Sequence, residues 1–273
     1  DAYDPDFYIY NDVIVENMDG SINIYSYPKE DFPPTDFHSA TLIDNEVIII
    51  GSLGYPDSRI IEHTQLYLLD TANFEISSIK ATGSSPGWIH GHEASLVLEN
   101  NHIVIKNGEV DLGKNFPLRE NIEEWELDIK EWHWRPITNR KWARWEITRV
   151  DHRMNHLWDI RQALFSLEAN WIKSYDEKLA ELSLELGYSV DVNLIRKLYL
   201  PDVPHRVLPE IEGEYNIFRT SINGITIRFV EEMDVIQAIV EGALPDELIE
   251  RIKKSTLEKI SALENTPCEL ASY

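Results

Sequence analysis

One cysteine, Cys268, stands in 273 residues. No internal disulfide can form, and the expected compartment is reducing, that is, cytoplasmic. No apolar run approaches the length that crosses a bilayer, because the most hydrophobic stretches are strand-sized. No membrane association is expected. Cations are scarce: 25 Lys and Arg face 48 Asp and Glu, a formal charge of -23. Such an excess repels phosphate backbones and argues against nucleic acid as a partner. It favours plain solubility or a basic protein partner. Several short signatures of catalysis are missing as well: there is no Walker loop, GxGxxG turn or CxxC. The sequence therefore predicts no cofactor, no metal and no catalytic residue. Carboxylate pairs such as Glu123-Glu124 and Glu231-Glu232 abound, and no spacing singles one out for acid–base work.

What is present is an internal repeat. The first copy runs Asp36-Phe37-His38-Ser39-Ala40, Val47 to Gly51-Ser52, then Leu66 to Asp70 and Phe74. The second runs Gly91-His92-Glu93-Ala94, Ile103 to Gly108, then Trp125 to Asp128 and Trp132. Matching positions are offset by 54 residues at the histidines, 57 at the glycines and 58 at the aspartates. Short strands repeating at that length, with a glycine after the second strand, have the form of a propeller blade.

The two copies resemble kelch repeats over about residues 35–138. The resemblance rests on the His-Ser-Ala or His-Glu-Ala strand start, the apolar strand ending at Gly51 or Gly108, and the aspartate followed by an aromatic residue. The chain departs from that pattern in three places. The paired glycines are Gly51-Ser52 and Asn107-Gly108, Phe74 replaces a tryptophan, and no arginine precedes either histidine motif. Kelch propellers bind proteins more often than they catalyse, although they also occur in oxidases and isomerases. A hairpin over Asp12–Tyr25, turning at Asp19-Gly20, adds a blade fragment. Two blades and a fragment cannot close a ring. The resemblance thus implies a partial, unclosed propeller, completed by other strands of the chain or by a second copy in a homodimer.

Beyond Asn155 the period changes. Leu157, Ile160, Leu164, Trp171, Ile172, Tyr175, Leu179, Leu182 and Leu186 recur at helical steps, predicting a long helix over about 155–186 that Gly187 ends. Asp191 caps a short helix that stops at Pro201. Asn223-Gly224 sets a hairpin over 215–230, and Val235–Val240 is a third strand. Pro245, Asp246 and Glu247 open a helix over 245–264 with the stripe Ile249, Ile252, Thr256, Ile260 and Leu263. A last strand near Cys268–Ala271 would complete an antiparallel sheet with the helix on one face. The expected fold class is mixed α+β: kelch-like blades over 1–140, then an α+β domain over 141–273.

Two sets of residues carry the functional expectation. Rim loops are the natural working surface of a blade protein, and Tyr, Arg and Trp dominate binding hot spots. Tyr55, Arg59, Trp88 and Phe116 are therefore the partner-binding candidates. The reading is a non-catalytic protein-binding module, in one version an acidic inhibitor or immunity-type protein covering a basic toxin or nuclease. The alternative is a small-molecule binder or enzyme using residues 132–161. There seven Lys or Arg meet three acids among clustered tryptophans, and Trp142, Arg144 and Trp145 could stack on and hold a ligand. On an extended strand His90 and His92 would point to one side and could add to such a site, as ligand-binding candidates rather than as a metal pair.

Overall fold

The computed structural model describes residues 8–114, 116, 118–168, 175–209, 211, 214 and 216–273. It is mixed α+β, and its chain divides into two compact units, Asp1–Arg140 and Lys141–Tyr273. Among the described residues no helix is long and apolar enough to cross a membrane.

The first unit is built of strands. A hairpin of β1 (Asp12–Glu16) and β2 (Ile22–Ser26) forms a two-stranded sheet. It turns at Gly20, whose φ of 80° suits a glycine. Next comes an antiparallel sheet in simple order, β3 (Ser39–Ile43), β4 (Glu46–Ile50), β5 (Leu66–Asp70) and β6 (Ile76–Ser78). After it run β7 (Thr82–Gly83), β8 (Ile89–His90), β9 (Glu93–Val97), β10 (His102–Lys106), β11 (Glu109–Val110), β12 (Arg119–Glu120), β13 (Trp125–Asp128) and β14 (His133–Pro136). Strands β9, β10, β13 and β14 repeat the four-stranded meander, and β7 adds to β14 in parallel. Strands β8, β11 and β12 make a small third sheet. Among the described residues these sheets do not close into a ring.

Burial explains why the two repeats differ in sequence. Ile48, Ile50 and Leu66 of the first meander share one core with Ile103, Ile105, Leu127 and Trp134 of the second. Ile49, Tyr67 and Leu69, on the opposite face of the first meander, join Phe32, Val13, Tyr27 and Phe74. A sheet buried on both faces needs an unbroken apolar strand, and Val47-Ile48-Ile49-Ile50 supplies it. Strand β10 buries only Ile103 and Ile105; Val104 between them is partly buried, and the strand ends carry the polar His102 and Lys106.

The second unit holds β15 (Arg144–Arg149), α1 (His156–Glu168), α2 (Tyr175–Leu186), α3 (Val192–Lys197), β16 (Arg206–Val207), β17 (Ile217–Ile222), β18 (Ile225–Glu231), β19 (Val235–Val240), α4 (Asp246–Glu264) and β20 (Cys268–Ser272). Its six strands form one antiparallel sheet in the order β16-β17-β18-β19-β15-β20. Strand β15 lies between β19 and β20. Trp145, Ile147, Ile227, Phe229, Ile236 and Ala238 gather on one side with Leu157, Ile160, Ile195, Ile249, Ile252 and Ile260 of the helices. Within the span 155–186 the described residues form α1 and α2, which pack against each other. The expected apolar positions Trp171 and Ile172 lie outside the described residues.

Buried charge fastens these helices. Glu264, at the end of α4, accepts from Arg149 Nη1 at 2.9 Å and from the amides of His156 and Leu157 at 2.8 and 2.9 Å. It thereby neutralises a buried guanidinium and satisfies two amides at the start of α1, where the helix dipole favours a negative charge. The Arg149 guanidinium in turn holds the Asp151 carboxyl well below the usual range.

Candidate functional site

The rim loops of the first unit are held together from within. Arg59 donates from Nε to the Leu53 carbonyl at 3.1 Å, and its Nη1 lies 3.3 Å from Asp111 Oδ2. Trp88, 2% exposed, donates from its indole to the same Leu53 carbonyl at 3.0 Å. Both residues brace the loop 53–59 through these bonds. Tyr55 is the exposed member, and its hydroxyl accepts from the Ile9 amide at 3.0 Å. Phe116 is partly buried, its amide bonded to the Gly113 carbonyl at 3.0 Å. The segment that carries Phe116 is anchored at both ends, since Glu109 pairs with Glu120 and Val110 with Arg119.

His90 and His92 do not share a strand face. Gly91 takes a φ of 61° between them and ends the extended run at His90. His90 Nε2 lies 3.3 Å from Glu109 Oε2, and His92 Nε2 lies 2.8 Å from Ser39 Oγ. Burial, reinforced by the nearby His90 and His38, pushes the His92 imidazole down to about 4. Among the described residues no three His, Cys, Asp or Glu side chains gather as a metal site.

The basic stretch 135–161 is largely neutralised within each unit. Arg135 pairs with Glu126, Arg140 with Glu124, Arg149 with Asp151 and Glu264, and Arg161 with Glu231. Arg144 lies over the Tyr273 ring, 4.8 Å from its centroid. Trp145 is fully buried in the core of the second unit, edge-on to Phe229, and Trp142 is partly buried. The structure thus assigns Trp145 to packing and does not make a surface ligand platform of it.

The feature that sequence reasoning missed is a row of carboxylates. Glu46 on β4 faces Asp70 on β5, and the Asp70 amide bonds the carbonyl of Glu75, the residue just before β6, at 3.0 Å. Three acids therefore follow one another across β4, β5 and the turn that leads into β6. Like charges directly opposite destabilise a sheet. Among the described residues none of the three has an ion-pair partner. With Asp31, Tyr27, Phe74 and neighbouring β5 and β6 residues they line a groove of about 440 Å³. Its lining holds four carboxylates, two aromatic rings and no cation. The Tyr27 hydroxyl donates to the Phe74 carbonyl at 2.7 Å, and burial raises its pKa, so the ring is fixed and neutral. Phe74 itself, at φ 59°, turns β5 into β6 and stacks on Tyr25 at 4.4 Å.

The second repeat makes the contrast plain. At the corresponding row His102 faces Asp128, and Asp128 faces His133. His102 also lies 2.6 Å from Glu126, and Arg135 reaches the same carboxylate. The row that is mixed in the second meander is wholly acidic in the first. No family model matches the chain, and no curated protein matches it.

Proposed function

We propose that this chain is a non-catalytic binding protein that receives a basic protein partner on the acidic groove of its first meander. The single observation that carries the reading is the uncompensated row Glu46, Asp70, Glu75. Self-repulsion of that row is relieved when a Lys or Arg side chain enters it, and Tyr27 and Phe74 supply faces on which a guanidinium stacks. The charge of the whole unit adds long-range attraction: residues 1–140 carry 25 acids and nine Lys or Arg, against 23 and 16 in the rest. An inhibitor-type role toward a basic toxin or nuclease is the specific form of this reading. In the same reading the two meanders are kelch-like blades, supported by the matching turns at Gly51 and Gly108 and at Phe74 and Trp132. A cytoplasmic location accords with the lone Cys268, whose thiol burial pushes up and away from its reactive form.

The test is affinity capture from the source lysate at low and high salt, followed by titration of the captured protein with wild type and the Glu46→Gln/Glu75→Gln variant. We expect one basic protein, lost at high salt and bound at least tenfold more weakly by the variant. Binding that ignores both salt and the two substitutions would overturn the proposal.

A further inference from the structure

We propose that the second unit carries a separate binding site for a small organic carboxylate. The site is a cavity of about 240 Å³ between α1, α3, the edge strand β16 and its neighbour β17. Its wall is amphipathic. Ile195, Leu200, Val207 and Leu208 supply apolar surface, while Arg161, Arg196 and Arg219 bring three cations. A pocket that is mostly apolar with a few convergent polar groups is the usual form of a small-molecule site.

Two observations point to an anion. Thr220 lines the cavity, is 2% exposed, and its Oγ1 has no hydrogen-bond partner. A buried hydroxyl without a partner is costly, and a ligand oxygen at this position would satisfy it. The second observation is the charge balance. Glu231 accepts from Arg161 Nε at 3.0 Å and Nη2 at 2.9 Å, and from the Tyr199 hydroxyl at 2.7 Å. Glu231 therefore cancels the Arg161 charge, and Arg161 is further held over the Phe218 ring at 4.4 Å. Arg196 is exposed at the mouth and, among the described residues, has no ion-pair partner.

Arg219 is paired with Glu214 at 2.6 Å, and its Nη1 is buried without a hydrogen-bond partner. The cavity thus offers one uncompensated positive charge and two unsatisfied donors, the Thr220 hydroxyl and Arg219 Nη1. That set fits a monoanion. A phosphate dianion would bring a second negative charge close to Glu231 with nothing to balance it. The apolar wall asks for a hydrocarbon body behind the charged head, and the volume limits it to about the size of a single ring or a short chain.

The full chain would be titrated with benzoate, hexanoate, benzamide and inorganic phosphate, read by ligand-observed NMR and by thermal shift. Saturable binding of either carboxylate is expected, with benzamide at least tenfold weaker. Arg196→Gln, an exposed change that leaves the core intact, should weaken the carboxylate roughly tenfold, as loss of a charge-assisted bond does. Thr220→Val, close in shape, should weaken it several-fold. The proposal fails if neither carboxylate saturates, if benzamide binds as well, if phosphate binds more tightly, or if both variants bind like wild type. Each of these outcomes concerns the second unit alone and leaves the acidic groove to its own test.

Discussion

Ser39 Oγ and His92 Nε2 lie 2.8 Å apart, so the first strand of one repeat is tied to the histidine that opens the next. The other ring nitrogen, Nδ1, is buried with no hydrogen-bond partner. This arrangement tolerates a neutral imidazole and penalises a charged one.

A pH dependence follows, with a definite sign. The folded-state value of about 4 lies below the ordinary 6.5, so between these limits the unfolded chain binds more protons than the folded one. The contribution of His92 is complete above pH 6.5 and is lost as pH falls toward 4, up to roughly 3 kcal/mol at about 1.4 kcal/mol per pH unit. Urea unfolding from pH 8 to 4 should show a flatter profile for His92→Gln than for wild type. Parallel profiles would refute the assignment.

Two glycines give a paired prediction about backbone. Gly108 has a φ of 76°, and a Cβ there would stand 2.3 Å from the His90 carbonyl oxygen. Gly20 has a φ of 80° with nothing within 4 Å of its added Cβ. Gly20→Ala should cost only the strain of positive φ, about 1 kcal/mol. Gly108→Ala adds a steric collision with backbone and should cost about 3 kcal/mol or more. Comparable thermal shifts for the two variants would contradict this account.

Removing the Glu264 carboxylate should be among the most damaging single changes in the second unit. Glu264→Gln leaves the buried Arg149 without its internal counter-charge and weakens the start of α1. A loss of about 3–5 kcal/mol is expected in denaturant unfolding. A loss below about 1 kcal/mol would mean that Asp151 alone suffices for Arg149.

The acidic row predicts the opposite direction for stability. Glu46→Gln removes one of two like charges that face each other across β4 and β5. It should raise stability by up to roughly 0.5 kcal/mol at low salt, with the gain shrinking as salt is added. A destabilised variant would show that the row is already balanced within the fold.

Much of this architecture was written in local chemistry. Asn223 and Gly224 both take positive φ between Ile222 and Ile225, as an Asn-Gly hairpin requires. The stripe Ile249, Ile252, Thr256, Ile260 and Leu263 is buried along α4. Asp191 accepts from the amides of Asn193 and Leu194 to cap α3. What the sequence hid was non-local. Strands β8, β11 and β12 have two residues each and carry no periodicity. Trp88 and Arg59 look like hot-spot residues, and only the fold shows that both are bonded to one carbonyl. The acidic row joins positions 46, 70 and 75, and no single window displays strand register.

The parallel pairing of Thr82 with His133, and of Gly83 with Trp134, sets an order of assembly. Thr82 Oγ1 meets His133 Nδ1 across 51 residues of chain. During synthesis the strand at 82–83 emerges long before its partner and must wait, unpaired, while the rest of the second meander is made. Within the first unit the second meander is therefore finished last, and a nascent chain stopped short of residue 134 would present a bare strand edge to whatever is nearby.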